Sequence, residues 1–476
     1  MRFESQRTYH PFIPLLPLLL ALEAMGGVSA LQDARSPAFA LTHATVIGGT
    51  VSTTRTNETV LISGGRILAV GPSGDVRVPA GTREVDATGR FIIPGLWDAH
   101  VHTRYEGIDH LRLLLANGIT SARDMGAPWQ QLAEIKNWRE QINKGQRVGP
   151  RLWAAGPLLD GPGSTWSHAA IINDPEEGRQ IVRRLKREGA DFVKVYDLLS
   201  RESFFAIAGE AKAQDLTFAG HIPFALTAAD VSDAGQRSIE HLPALLLAAS
   251  DQEEQLVRGG RRPAPRDVAG TVTEGKINAL AERLNRNGTY ITPTLSLFWN
   301  IIQVNRNNPD IVNAERLRYV PPAYTNQWKR TRAAAGAEGQ RQAFEKGLEV
   351  VRQLHKAGVP ILAGTDVVKP YFIPGESLHD ELALLVKGGL SEMEALKTAT
   401  VNPARFLNLA DQGTIEPGAR ADLVLLDANP LLNIENTRKI RAVVAGGRLF
   451  ERMELDVMLA DIESAAIKWA GSPTGR

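Results

Sequence analysis

The sequence predicts an α/β protein, and two patterns along the chain support this prediction. Through the middle of the chain, short apolar segments rich in strand formers alternate with amphipathic helical segments, which is typical of parallel βα units. Eight such units in this length fit a (β/α)8, or TIM, barrel, whose active site lies at the carboxyl ends of the strands. The predicted strands end near His102, Asp124, Gly156, Tyr196, His221, His241, Thr294 and Asp366.

The second pattern is a β-rich texture, punctuated by glycine, at both ends of the chain. Gly64-Gly65 separates two strand-like runs and predicts a tight hairpin turn, and Gly446-Gly447 repeats this signal near the other end. We therefore predict a small composite β-sandwich domain beside the barrel. The predicted units are residues 40–93 with 406–455 for the β-sandwich domain and 94–405 for the barrel.

The connection between the seventh and eighth predicted strands is too long for a simple βα loop. This segment, 298–347, carries the aromatic residues Trp299, Tyr319, Tyr324 and Trp328. We predict that it is mostly helical and forms a lid-like insertion over the barrel mouth. A peripheral helical decoration is the alternative.

Residues 1–30 have the pattern of a secretory signal peptide. Arg2 and Arg7 give a basic start, an apolar core follows at 12–22, and Val28-Ser29-Ala30 offers a small-residue cleavage site. The apolar core is too short for a permanent membrane helix. We expect an exported protein, periplasmic or secreted, that leaves the membrane after cleavage; an uncleaved cytosolic extension is the alternative.

Charge and cysteine content narrow the classes of function. The formal net charge is +1, and the chain has no cysteine. So small a charge gives no reason to expect nucleic acid as a partner. The lack of cysteine excludes disulfides, thiolate ligands and a cysteine nucleophile. Any metal must therefore be bound by histidine, carboxylate or a modified lysine.

The first predicted barrel strand carries a pair of histidines in Pro94-Gly95-Leu96-Trp97-Asp98-Ala99-His100-Val101-His102. Side chains two positions apart in a strand lie on the same face, so His100 and His102 would project together. Imidazole nitrogens are strong ligands for zinc-like ions. The pair is therefore a candidate chelator of one divalent metal.

A lysine lies on the fourth predicted strand, in Asp191-Phe192-Val193-Lys194-Val195-Tyr196. Alternation directs Lys194 and Tyr196 into the barrel, where an unpaired ammonium is costly. Burial lowers a lysine pKa and leaves a neutral amine, which can add carbon dioxide to form a carbamate that bridges two metal ions. The alternative is a lysine paired with a buried acid such as Asp98 or Asp366.

Three more polar residues follow later strands. His221 and His241 come after the fifth and sixth strands, and Asp366 ends the eighth, which adjoins the first strand in a ring. We predict that these side chains meet at one metal site in the barrel mouth. The candidate ligands are His100, His102, Lys194, His221, His241 and Asp366.

Together these motifs resemble the metal-dependent amidohydrolase superfamily. The chain has its PG-x-x-D-x-H-x-H start, a lysine on strand four, two later histidines and a terminal aspartate, and 413–418 with 421–424 are similar to its terminal sheet segments. The resemblance covers about residues 40 to 450 and is greatest to the imidazolonepropionase-like and Xaa-Pro dipeptidase-like branch. The strand-four lysine favours the binuclear, dipeptidase-like side. The loop after it, 196–200, departs from the small-residue and glycine loop of many dipeptidase-like members.

The resemblance implies a cofactor set and a mechanism. Two divalent metal ions, with zinc expected, would be bound: the first pair of histidines and Asp366 on the more buried ion, and the two later histidines on the other. Carboxylated Lys194 would bridge them. A shared hydroxide would attack the scissile carbonyl, and Asp366, as the catalytic residue, would carry its proton to the leaving amine.

The expected substrate is a small amide, such as a dipeptide or an N-acyl amino acid. Tyr196, beside Lys194, and His168, on the loop after the third strand, are candidate substrate-binding residues; a packed barrel aromatic is the alternative for Tyr196. Other functions stay open: a lactonase or carboxylic ester hydrolase, a heterocycle hydrolase or deaminase with one metal, or a binding protein without catalysis. Assembly into a homo-oligomer also stays open.

Overall fold

The structure, a computed structural model, describes residues 38–48, 54–103, 106–260, 263–330, 337–367 and 369–471. The expected signal peptide, residues 1–30, lies outside these ranges. Within them, no helix combines the length and the apolar character that crossing a bilayer requires.

The described residues form seventeen strands, arranged in three sheets. In chain order, β1 to β17 are Phe39–Ile47, Thr54–Ser63, Arg66–Pro72, Arg83–Asp86, Phe91–Pro94, Leu96–Val101, Ile119–Asp124, Arg151–Ala154, Leu159–Asp160, Ala170–Ile171, Phe192–Val195, Thr217–Gly220, Ser238–Glu240, Tyr290–Thr292, Leu423–Leu426, Ile440–Ala445 and Arg448–Glu451.

The same residues form seventeen α-helices and three short 3-10 helices. In chain order, α1 to α17 are His110–Ala116, Trp129–Asn143, Pro175–Glu188, Arg201–Ala213, Ala228–Asp233, Leu242–Ala248, Glu253–Arg258, Pro265–Val268, Glu274–Asn287, Leu295–Asn305, Pro309–Val312, Pro322–Arg330, Ala337–Lys356, Glu376–Lys387, Glu392–Thr398, Val401–Phe406 and Arg452–Lys468. The 3-10 helices are Ala269–Thr271, Glu315–Tyr319 and Ile434–Arg438.

One sheet takes strands from both β-rich segments that the sequence indicates. Its order is β17-β16-β15-β5-β1-β2-β3, and β4 pairs with β1. The two segments meet where β5 pairs antiparallel with β15, with Ile93 opposite Val424. The buried face of this sheet packs apolar residues from both segments, including Val46, Ile92 and Leu425.

Both glycine-pair turns occur in this sheet, and they pack against each other. Gly64-Gly65 joins β2 to β3 and Gly446-Gly447 joins β16 to β17, each with φ values of 57° and 78°. Glycine adopts this left-handed conformation without a steric penalty. A Cβ on Gly447 would lie only 2.4 Å from the Cα of Gly65. The N–H of Ala421 donates to Gly65 O at 2.9 Å, and its carbonyl accepts from Gly447 N–H at 3.0 Å.

The middle of the chain forms a TIM-barrel-like arrangement of parallel strands. β6, β7 and β8 make one sheet, and β10-β9-β11-β12-β13-β14 make the other. For the first seven barrel strands, the observed carboxyl ends lie within two residues of those expected from the sequence. The candidate ligands on these strands therefore lie at one end of the arrangement.

The helices that cover the strands follow directly from local sequence. In α3, Asp174 accepts hydrogen bonds from the N–H groups of Glu176 and Glu177 at the amino end. Gly189, in the left-handed conformation, ends the helix. The apolar stripe of α3, including Val182, is buried in the main core. Such helices hold the strands, and hence the strand ends, in place.

The eighth barrel segment is less regular than the sequence predicts. A continuous strand ending at Asp366 is expected, but this segment makes only single bridges, from Ile361 to Ile291 and from Val367 to Val101. Asp366 has φ of 64°, a conformation that interrupts a strand. Its N–H donates to His100 O at 2.7 Å, which fixes it beside the first barrel strand.

The long segment after the seventh strand is largely helical, consisting of α10, α11, a 3-10 helix, α12 and the first part of α13. Its α10 brings the ring of Phe298 to 6.4 Å from that of His241. From α12, Trp328 packs at 5.5 Å against Tyr371, which follows Asp366 in the chain. The segment thus contacts one candidate ligand, His241, and a residue that follows another, Asp366.

We predict that Gly220→Ala lowers stability by about 2–4 kcal/mol, because of steric displacement and an unfavourable backbone conformation. Gly220 has φ of 145°, and a Cβ there would lie 2.1 Å from Val195 O on the neighbouring strand. The measurement is the midpoint of chemical unfolding. Gly209→Ala is the control, since nothing lies within 4 Å of its Cβ position on α4. That variant should gain about 0.5–1 kcal/mol; equal midpoints for all three proteins would contradict the prediction.

Candidate metal centre

Three side chains converge at the carboxyl end of β6. One ligand atom each from His100, His102 and Asp366 lies within 4.8 Å of the other two. Asp366 Oδ1 is 3.4 Å from His100 Nε2 and 3.0 Å from His102 Nε2. All three side chains are buried. In the part of the chain that the structure describes, this is the one cluster of histidines and acids with metal-binding geometry.

The four candidate histidines share one hydrogen-bonding pattern, in which Nδ1 contacts a protein oxygen. The contacts are His100 with Glu240 Oε2 at 2.8 Å, His102 with Gly126 O at 3.1 Å, His221 with Asp197 Oδ1 at 2.8 Å and His241 with Thr294 Oγ1 at 2.9 Å. Carboxylates and carbonyls only accept, so Nδ1 carries the hydrogen in the first three. In His100 and His102, Nε2 then carries the lone pair, and both of these atoms face Asp366 Oδ1, in the arrangement of known metal ligands.

The chemistry of this donor set fits a divalent metal. Nε2 of His100 is buried and makes no hydrogen bond with the described residues. Burial lowers the pKa of His100 to about 3, so the ring is neutral near pH 7. A buried, neutral nitrogen beside a carboxylate is costly unless a cation satisfies both. Imidazoles with a carboxylate are a ligand set that zinc-like ions accept.

His221 and His241 lie next to this cluster. The ring centroid of His241 is 4.7 Å from that of His100 and 4.7 Å from that of His221. The rings of His100 and His102 are 5.5 Å apart. The structure therefore brings the four histidines together in one continuous series of ring contacts.

Lys194 lies on β11 and is 1% exposed. Burial lowers its pKa to about 8, although the nearby carboxylates of Glu240 and Asp366 act in the opposite direction. Among the described residues, neither of these acids forms an ion pair with its ammonium. An appreciable fraction of neutral amine is therefore accessible near pH 7, which is the form that carbamate formation needs.

A second buried network holds the first histidine in place. Glu240, on β13, accepts from His100 through Oε2, and from Arg123 Nη2 at 2.9 Å and Ser238 Oγ through Oε1. Burial alone would raise the pKa of Glu240, but Arg123 and His100 lower it well below its usual range. Arg123 also donates to Ala99 O at 2.6 Å. One ionised carboxylate thus links β6, β7 and β13.

Three residues at strand ends of the centre have positive φ without being glycine. They are His241 at 76°, Thr294 at 47° and Asp366 at 64°. Such conformations cost about 1–3 kcal/mol each and tend to cluster at functional sites. They follow β13, β14 and the eighth segment, where the backbone leaves the strand direction beside the candidate ligands.

Aromatic side chains line the mouth above the ligands. The ring of Tyr196 packs against that of His221, with centroids 4.0 Å apart and planes tilted by 35°. Trp166 stacks on His102 at 5.9 Å and donates from Nε1 to the Tyr196 hydroxyl at 2.6 Å. Tyr196 therefore lies beside the candidate ligand His221, and its role in substrate binding stays a prediction.

His168 occupies a different position from that of the ligand group. It is exposed and lines a cleft of about 750 Å³ whose wall includes none of the candidate ligands. On the same loop, Trp166 is the residue that contacts His102. Substrate binding by His168 stays a prediction.

The residues that sequence reasoning missed are Arg123, Glu240, Trp166 and Thr294. Only Glu240 left a usable signal: in Ser238-Ile239-Glu240, alternation puts the serine and the acid on the inward face that also carries Lys194 on β11. The roles of Arg123 and Thr294 depend on partners from distant strands. Trp166 lies on an irregular loop, where periodicity gives no direction.

The curated relatives fall into two groups, one similar to most of this chain and the other to a short part of it. The imidazolonepropionase of Streptomyces coelicolor is 25% identical over 387 residues, which cover 78% of this chain and 85% of that protein. The adenine deaminase of Ligilactobacillus salivarius is 34% identical over 77 residues, but these cover only 16% of this chain and 13% of that protein.

Solved structures are similar over most of the chain. A proposed prolidase from Bifidobacterium longum has 25% sequence identity and a TM-score of 0.64, covering 90% of this chain and 99% of its own. A Xaa-Pro dipeptidase, solved with methionine in its active site, has 19% identity and a TM-score of 0.63, covering 87% and 100%. The second likeness concerns the fold alone.

We predict that Glu240→Gln weakens divalent-metal affinity about 10- to 100-fold, as expected for loss of the partner that orients a ligand histidine. The measurement is zinc competition against a chromogenic chelator. Glu381→Gln is the matched control. Glu381 is equally buried, but it accepts from the N–H groups of Leu295 at 3.0 Å and Ser296 at 2.6 Å, not from a candidate ligand. Equal affinities for both variants would contradict this role of Glu240.

A family model supplies the remaining comparison. The model described as the amidohydrolase family matches residues 91–450, which include every candidate ligand, β15, β16 and all but the last residue of β17. That range is well over half of the chain, and the similar structures are prolidase-like folds. The chain therefore belongs to the amidohydrolase family and is a hydrolase of carbon–nitrogen bonds.

Proposed function

We propose that this protein is a metal-dependent hydrolase that cleaves the amide bond of a small substrate, a dipeptide or an N-acyl amino acid. The observation that carries the proposal is the approach of the His100, His102 and Asp366 ligand atoms to within 4.8 Å beside a buried lysine. Similarity to a proposed prolidase at 25% identity supports the choice of a peptide-like amide.

The proposed ligand set divides into two groups. His100, His102 and Asp366 would hold one divalent ion, and His221 with His241 would hold a second. Lys194, as a carbamate formed from its neutral amine and carbon dioxide with release of a proton, would serve both ions. Zinc is the proposed metal, because the donors are mainly imidazole nitrogens.

Individual side chains would transfer the proton, orient a ligand and exclude water. Bound divalent ions would supply Lewis acidity at the scissile carbonyl and lower the pKa of water. Asp366 would take the proton of the attacking water and deliver it to the nitrogen of the leaving amine. Glu240 keeps the hydrogen of His100 on Nδ1. Trp166 and Tyr196, whose rings pack against those of His102 and His221, would limit access of bulk water.

We expect about two equivalents of metal per chain in protein produced with zinc and bicarbonate. Elemental analysis measures this directly. Lys194→Ala should lose metal, and short carboxylic acids should restore part of it by occupying the place of the carbamate. Lys212→Ala, which removes an exposed lysine of α4, is the control and should keep the full complement. Full metal content and rate in Lys194→Ala would rule out the bridge.

We expect Asp366→Asn to lower kcat by at least about 100-fold, since the amide cannot accept and return the proton. Hydrolysis of dipeptides and N-acyl amino acids is the assay, and circular dichroism checks that the fold is kept. The control, Asp75→Asn, removes an exposed carboxylate beyond β3 and should leave the rate unchanged. Undiminished turnover by Asp366→Asn would contradict the proposed proton transfer.

A second candidate is hydrolysis or deamination of a heterocycle at a single metal ion. It is favoured by the 25% identity to an imidazolonepropionase over 78% of the chain. About one metal per chain, with Lys194 uncarboxylated, would select this candidate. Cyclic amidines and lactams would then be the first substrates to test. A lactonase or carboxylic ester hydrolase would show the two-metal count but prefer esters.

We also propose that the parallel strands close into an eight-stranded ring, that the mixed sheet is part of a β-sandwich domain, and that the protein is exported. Single bridges at both edges of the eighth segment support the ring. The proposal of export is supported by the basic, apolar and small-residue pattern of residues 1–30. Cell fractionation with a processed N-terminus would test it.

A further inference from the structure

Lys369 is a second lysine near the metal centre, and its setting differs from that of Lys194. Its Nζ lies 3.7 Å from Asp366 Oδ2, and its side chain is 28% exposed. Lys194, by contrast, is 1% exposed. One lysine is thus enclosed with the candidate ligands, whereas the other has access to solvent at the mouth.

The two carboxylate oxygens of Asp366 have different neighbours. Oδ1 contacts the Nε2 atoms of His100 and His102, and Oδ2 is the oxygen nearer Lys369. Lys369 therefore marks the side of Asp366 that lies away from the histidines. A substrate that receives a proton from Asp366 would pass within reach of this ammonium.

Lys369 also contacts the aromatic wall. Its Nζ lies 5.1 Å from the ring centroid of Trp166, within the range of a cation–π interaction. Trp166 in turn stacks on His102 and donates to the Tyr196 hydroxyl. The lysine side chain is long and flexible. These contacts hold its ammonium above the ligands, on the same side as the two aromatic rings.

We propose that Lys369 binds the free carboxylate of the amino acid that leaves as the amine. This inference rests on the proposed function and assigns the residue that selects its substrates, amides whose leaving group is an α-amino acid with an unblocked carboxylate. Ammonium and carboxylate are complementary in charge, and a charge-assisted hydrogen bond in a partly enclosed mouth is strong and selective.

The covalent structure of such a substrate matches this position. In an α-amino acid the carboxylate carbon is two bonds from the nitrogen. If Asp366 delivers its proton to that nitrogen, the carboxylate must lie close to Asp366, where the partly exposed ammonium of Lys369 lies 3.7 Å from Oδ2. An amide-capped or ester-capped substrate would lack the group that Lys369 binds.

The test compares N-acetyl-L-leucine with N-acetyl-L-leucinamide on zinc-loaded protein. Lys369→Met should raise KM for the acid about 10-fold or more and leave KM for the amide nearly unchanged, whereas loss of the charge beside Asp366 should change kcat for both compounds alike. Calorimetry should show a matching rise in the Kd of the acid. Lys369→Arg should keep most of the preference, because it keeps the charge.

Lys387→Met is the matched control. Lys387 also packs its ammonium over a tryptophan, 4.7 Å from the ring centroid of Trp299, but the cleft that these two residues line includes none of the candidate ligands. This variant should behave as the wild type toward both compounds.

Two results would overturn the role of Lys369: equal changes in KM for the acid and the amide, or an unchanged Kd for the acid. Failure of the proposed function looks different. If the wild-type protein hydrolyses neither compound nor any other N-acyl amino acid, the amide-cleavage proposal fails. The Kd comparison between wild type and Lys369→Met still decides whether the lysine binds a carboxylate.

Discussion

The contact between Glu240 and His100 is the interaction on which the geometry of the centre depends most. It joins a fully buried carboxylate to a fully buried ring, so neither group can turn to water instead. The same carboxylate balances the charge of Arg123, which donates to the backbone of the first barrel strand. The Glu240 carboxylate thus orients a ligand, neutralises a buried cation and fixes the spacing of three strands.

The sequence predicts those structural features that depend on local or periodic patterns. Alternation in the fourth strand placed Lys194 inside, and the spacing of His100 and His102 placed both on one face, as observed. Gly64-Gly65 and its later counterpart form the predicted hairpin turns. Such features depend on steric rules that act over a few residues, so one chain can reveal them.

The remainder depends on residues that are distant along the chain. Arg123 reaches Glu240, 117 positions away, through the barrel interior, and no local pattern encodes that partner. The eighth strand was expected to be regular, but the left-handed conformation of Asp366 breaks it. On the loop after the third strand, periodicity is absent. The chemistry of the imidazole makes His168 the candidate on that loop, whereas Trp166 makes the observed contacts with the centre.

The sheet built from both β-rich segments has a consequence for biosynthesis. Arg66 binds the carbonyl of Gly418, 352 positions away, and the two glycine-pair turns meet across Ala421. The first strands therefore have unpaired edges until the last strands have been synthesised. Contacts between residues so far apart in the sequence also form slowly. While translation continues, β5 lacks its partner β15, and the apolar residues of β1 and β2 lack the later residues that pack against them. A chaperone that shields an incomplete sheet would have its longest contact with this part of the nascent chain.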